Sequence, residues 1–125
     1  MALYCAAYFK KNGCDKLLTQ KLLYYAQGIY LKLYNQPLFE EEIEKLNGPV
    51  VRVVDDKWDE LDTEEYVIPK LFSDFLDDIL AEFEGLTGIQ LIEKIHEEPP
   101  WKETNNNEFI ELDSLKAFFD KQEFK

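Results

Sequence analysis

The chain has 125 residues, 46% of them hydrophobic and 14% aromatic, and a formal net charge of −12 at neutral pH. That is one domain's worth of chain with enough apolar material for a core, which argues against disorder. No stretch approaches the roughly 20 consecutive apolar residues of a membrane span, and Met1-Ala2-Leu3-Tyr4-Cys5 lacks the basic start and apolar run of a secretory leader, so the expected compartment is the cytoplasm.

A first helix is predicted over 2–11, with Leu3, Ala6, Ala7, Phe9 and Lys10 along or beside its buried stripe and Asn12-Gly13 as its stop. Cys5 and Cys14 show no CxxC or metal-like spacing and read as free thiols, buried or incidental. A long central helix follows over about 16–34. Leu18, Leu22, Tyr25, Ile29 and Leu33 recur in steps of four and three, and Leu23, Ala26, Tyr30 and Tyr34 form a second stripe beside them. A helix apolar over that much of its circumference must be packed on two sides. Asp15 is placed to cap its first free amides, and Asn35-Gln36-Pro37 ends it because proline cannot continue a helix.

Residues 37–46 read as a loop with at most a short extended piece, and Asn47-Gly48-Pro49 as a turn. The run Val50-Val51-Arg52-Val53-Val54 is β-branched and reads as a strand by composition. Residues 59–66 are polar and irregular. A helix over about 69–83 carries Phe72, Phe75, Leu76, Ile79, Leu80 and Phe83 on one broad face. Thr87 and Gln90 form a capping box that opens a further helix to about residue 97, which Pro99-Pro100 stops. Residues 102–108 are a polar turn, Phe109-Ile110 is extended, and Asp113 caps a last helix that buries Leu115, Phe118 and Phe119. No internal repeat or low-complexity linker divides the chain, so 1–125 reads as a single domain.

The charge is concentrated. Residues 55–98 hold fifteen carboxylates against Lys57, Lys70 and Lys94, which accounts for the whole imbalance. Such a surface repels phosphate backbones and favours a basic partner, or it is a solvated face that aids solubility. Asp74, Asp78 and Glu82 stand at steps of four, with Asp77 beside them, opposite the apolar face of their helix. Like charges at that spacing cost a few tenths of a kcal/mol per pair (~0.2–0.5) in an isolated helix, which mildly supports a partner surface.

No nucleophile with a base, phosphate loop or metal cluster is legible. One histidine excludes a His-x-x-x-His site, and no Gly-x-Gly-x-x-Gly or Gly-x-x-x-x-Gly-Lys run exists. His96 beside Glu97 and Glu98 reads better as a packing or capping histidine near Trp101 than as a metal ligand. Adjacent carboxylates such as Asp55 and Asp56 or Asp77 and Asp78 point about 100° apart on a helix and do not converge. The reading is a non-catalytic protein that folds without metal or cofactor. Tyr24, Tyr25, Tyr30 and Tyr34 could line an interface groove or serve as core residues with their hydroxyls at its rim.

Several blocks stand in a recognisable order: Gln20-Lys21-Leu22-Leu23-Tyr24-Tyr25-Ala26-Gln27-Gly28, Pro37-Leu38-Phe39, Ile43-Glu44, Gly48-Pro49-Val50-Val51, His96-Glu97-Glu98-Pro99-Pro100-Trp101-Lys102, then Ile110 and Phe118-Phe119. Together they resemble the SocA-like Panacea domain of bacterial and phage antitoxins. Two departures stand out: Thr19 occupies a position where the family usually has an apolar residue, and the segment between Glu44 and Gly48 lacks the usual tryptophan and is one residue short. The resemblance implies a helix from near Pro49 to about Trp58 in place of the strand, and we expect that helix. The expected fold is all-α or mostly α: a bundle of about six helices around the central one. It also implies that His96 and Trp101 are brought near Gln20 and Lys21, and it marks Tyr24, Tyr25, Gly28, Gly48, Pro49 and Pro100 as family positions, as a structural lock or a partner site. By the same resemblance the chain would neutralise a toxin encoded by a neighbouring gene through direct contact, and could hand it to a cellular protease. Toxins of many unrelated types pair with such domains. The alternative is an acidic phage-type nucleic-acid mimic whose carboxylates imitate phosphates and block a DNA- or RNA-binding enzyme, itself contacting no nucleic acid or membrane.

Overall fold

Every residue from Thr19 to Ile29 is buried, so helix α2 (Lys16–Tyr34) is packed around its whole circumference over three turns. The computed structural model describes residues 1–123, in which six further α-helices and a two-stranded sheet are arranged about this helix. In contact with it are α1 (Ala2–Lys11), the strand β2 (Pro49–Val51), α4 (Lys70–Glu82), α5 (Gly88–His96) and α7 (Leu112–Phe119). Asp15 caps α2 by accepting from the Leu18 amide at 2.8 Å, and Asn35 ends it in the left-handed conformation that asparagine tolerates. The apolar stripes run out in the last turn, where Leu33 and Tyr34 are exposed. Tyr34 instead stacks on half-buried Tyr30, their ring centres 4.6 Å apart.

Helix α1 buries Ala2, Cys5, Ala6, Ala7 and Phe9, with Leu3 half-buried. Burial pushes the Cys5 thiol up to about 12 and raises that of Cys14, so both remain protonated free thiols. Lys10 reaches from α1 to the carbonyls of Trp58, at 2.7 Å, and Leu61, and lies over the Trp58 ring.

The expected helix from Pro49 to Trp58 is corrected. Pro49–Val51 is strand β2, paired antiparallel with β1 (Ile43–Lys45), and helix α3 spans only Arg52–Lys57, followed by a 3-10 turn, Trp58–Glu60. Composition and family pattern each described half of the segment. Pro49 faces Lys45, whose N–H bonds to the Glu108 carbonyl on the other side, so the missing proline donor leaves no gap in the ladder. The 107–110 segment lies along β1, with the Ile110 N–H on the Ile43 carbonyl at 2.8 Å.

Two further boundaries differ from expectation. Pro99-Pro100 ends α5 but also starts a short helix, α6 (Pro99–Lys102), because a first-turn residue needs no N–H partner. Glu111 occupies the cap position of α7 without a side-chain bond, which puts Asp113 inside the first turn, where the free amides still favour its charge. The capping box of α5 is formed as expected, Thr87 and Gln90 each bonding the other's backbone amide.

Candidate functional site

Gln20, Tyr24 and Gln27 stand four and three residues apart, so α2 presents them on one face. All three are buried. Buried polar groups require partners, and the partners here are distant backbone for the two glutamines and the Glu98 side chain for Tyr24. The Gln20 amide accepts from the Val51 N–H at 2.9 Å and donates to the Val51 carbonyl at 3.1 Å. Gln27 does the same to the loop after α2: its oxygen accepts from the Leu38 and Phe39 amides at 2.7 and 3.3 Å, and its nitrogen donates to the Phe39 carbonyl at 2.8 Å. Tyr24 and Tyr25 donate to the two carboxylate oxygens of Glu98 at 2.9 and 2.8 Å. Burial raises the Glu98 carboxyl above its ordinary value, opposed by the tyrosine hydrogen bonds and by Lys94, 3.5 Å away. Burial and then the Glu98 charge drive both tyrosines upward, so they remain donors.

Lys21 points toward the turn between the strands. Its ammonium donates to the Pro49 carbonyl at 3.5 Å, and burial lowers it to about 8 against the attraction of Asp55. On the far side of the same turn, His96 Nε2 lies 3.4 Å from the Asn47 carbonyl, and its ring packs on Trp101 with centres 4.9 Å apart. Lys45 lies over that indole at 4.7 Å and donates to the Trp101 carbonyl at 2.8 Å. Gln20, Lys21 and His96 thus each meet a backbone carbonyl of the hairpin, at Val51, Pro49 and Asn47, and Trp101 is tied to it through the Lys45 side chain. Trp101 is buried, whereas His96 is exposed.

A family model for the antitoxin SocA-like Panacea domain matches residues 19–102, two thirds of the chain. The chain belongs to this family. No curated protein and no solved structure matches it. Membership carries a general role in toxin–antitoxin systems. The matched stretch of the Panacea domain opens at Thr19 and closes at Lys102, the last residue of α6, so it spans both glutamine clamps, the hairpin and Glu98.

The other expected site residues fall elsewhere on the Panacea domain. Gly28 faces the Phe119 ring, and Pro100 is buried in α6, its carbonyl accepting from the Thr104 hydroxyl at 2.7 Å. Asp74, Asp77, Asp78 and Glu82 are exposed on α4, as expected, but Asp74 is paired with Lys70 at 2.9 Å and Asp77 accepts from the Tyr8 hydroxyl. Of the remaining acids of 55–98, Asp55 pairs with Lys16, Glu64 with Lys11 and Glu97 with Lys102. The sequence assigned neither Gln27 nor Glu98 a place in this site. The spacing that joins Gln20, Tyr24 and Gln27 could have found the first; nothing local marks Glu98, one of three consecutive polar residues before two prolines. No helix among the described residues is long and apolar enough to cross a membrane.

Proposed function

We propose that this Panacea domain neutralises a toxin encoded by a neighbouring gene through direct protein contact, occluding the toxin's working surface without chemistry of its own. The observation that carries the reading is the family match over 19–102. The inward use of the family's polar residues agrees with it. Gln20 and Gln27 bond distant backbone and Tyr24 and Tyr25 bond the Glu98 side chain, which supports reading the 19–102 motif as a structural lock, with recognition left to the outer surface. Handing the bound toxin to a protease would use the same contact.

The mimic reading draws on the α4 carboxylates. Two of the four are already engaged, by Lys70 and by Tyr8, which weakens the resemblance to a regular row of phosphates. The experiment is co-expression with the product of the adjacent gene, scored for rescue of growth and for a complex on size exclusion. The four-site variant D74N/D77N/D78N/E82Q is run alongside it. Rescue with a stable complex, and retention of most affinity in the variant, is the expected result. Loss of nearly all binding in a variant that still melts like the parent would favour charge mimicry instead.

A further inference from the structure

Between the start of α2, the β1–β2 turn, α3 and α5 lies a cavity of about 310 Å³ with apolar walls contributed by Leu17, Leu46, Val50 and Ile92. Lys21 forms part of its lining, yet the side chain is only 3% exposed. An ammonium has three N–H donors, and this one has a single long bond, 3.5 Å, to the Pro49 carbonyl. Asp55 lines the same cavity but is held by Lys16 at 3.3 Å, so Lys21 has no ion pair among the described residues. Gly48 is what lets the ammonium come this close to the turn: a Cβ there would lie 2.8 Å from both Cε and Nζ of Lys21. A methionine would fill the same space without the cost of burying an incompletely bonded charge.

We propose that this cavity binds a monocarboxylate with a short aliphatic chain, the Lys21 ammonium receiving the carboxylate while the chain lies against Leu17, Val50 and Ile92. The bound carboxylate supplies the acceptors that the protein does not. One buried cation beside an aspartate, in a chain of net charge −12, suits a single negative charge and disfavours a phosphate dianion. The lowered basicity of Lys21 agrees with an ammonium lacking its partner, and binding would restore it. The inference does not depend on which toxin the domain meets.

The test is an amide-resonance titration of the whole chain with hexanoate and with N-acetyl-leucyl-leucine, each set against its uncharged amide. Expected are saturable shifts centred on Leu17, Gly48, Val50 and Ile92 with the carboxylates and not the amides, and affinity about tenfold or more weaker in Lys21→Met. Binding of both acids assigns the cavity to aliphatic carboxylates generally. The peptide alone assigns it to a protein C-terminus, and hexanoate alone to a small acid. Equal shifts with acid and amide, no saturable shift with either acid, or undiminished binding in a folded Lys21→Met would overturn the proposal. The acid–amide comparison on the parent chain decides the matter even if the variant fails to fold.

Discussion

Gly28 of α2 lies directly beneath the Phe119 ring of α7, so closely that a Cβ on the glycine would be 2.8 Å from Cγ of that ring and nearer still to its edge. No small adjustment relieves this, because Phe119 is fully buried and also packs edge-on against Tyr24 and Tyr25. Gly28→Ala is therefore expected to destabilise by about 1–3 kcal/mol or more, the cost of overpacking. Chemical denaturation of Gly28→Ala, Phe119→Leu and the double variant checks it. The double variant should be more stable than the two single losses added together, since the smaller side chain makes room for the methyl.

The Tyr24–Glu98–Tyr25 arrangement makes a prediction with a pH signature. Tyr24→Phe and Tyr25→Phe each remove one donor from a buried carboxylate, at about 1–3 kcal/mol apiece. Glu98 is raised in the folded state, mainly by burial, so the native protein binds more protons than the unfolded chain between the two values. Its contribution is therefore full at pH below the unfolded value and declines as pH rises through the folded one. Stability measured across that range should show this decline, and Glu98→Gln should flatten it.

Thr19 has its hydroxyl fully buried without a hydrogen-bond partner among the described residues. It is also the position at which this chain departs from the family's apolar preference. Thr19→Val keeps the shape and removes the orphaned group, and is expected to stabilise by about 1 kcal/mol. A rise in melting temperature is the readout, and a fall would mean that the hydroxyl is satisfied in solution.

Lys21 carries the opposite pH dependence. Its folded value of about 8 lies below the ordinary lysine value of 10.5, so between the two the unfolded chain holds the extra proton. Stability should then gain from this residue as pH rises through that window, because the buried ammonium loses its charge. The difference between parent and Lys21→Met, followed from neutral pH upward, isolates the effect. A flat difference would show that the ammonium is solvated.

Trp101 is in contact with His96 and Lys45 and is 7% exposed, the burial of a packed core residue. Trp101→Ala should cost about 3–5 kcal/mol and lose function through unfolding. A variant that melts near the parent yet fails to rescue cells from the toxin would make the indole a contact residue.

The helices were legible because their signals are local. Asp15 caps three residues downstream, Thr87 and Gln90 cap each other within one turn, and the faces of α4 and α5 repeat at helical spacing. The family blocks contain Gln20, Tyr24 and Tyr25 but say nothing of the partners these side chains meet. Gln20 bonds a strand 31 residues away, and Tyr24 meets Glu98 across 74.

What the sequence by itself determined was that α1, α2, α4, α5 and α7 are helical, that α2 lies at the centre, and which family the chain joins, since each is written in the identity and spacing of neighbouring residues. Only the tertiary structure decided that Pro49–Val51 is a strand and Arg52 begins a helix, that Glu98 is the acceptor for both tyrosines, and that Lys21 and His96 meet different carbonyls of one turn. A backbone amide or a hydroxyl accepts any suitable partner, and the partner it meets is set by which distant elements the burial of apolar surface has already brought into reach.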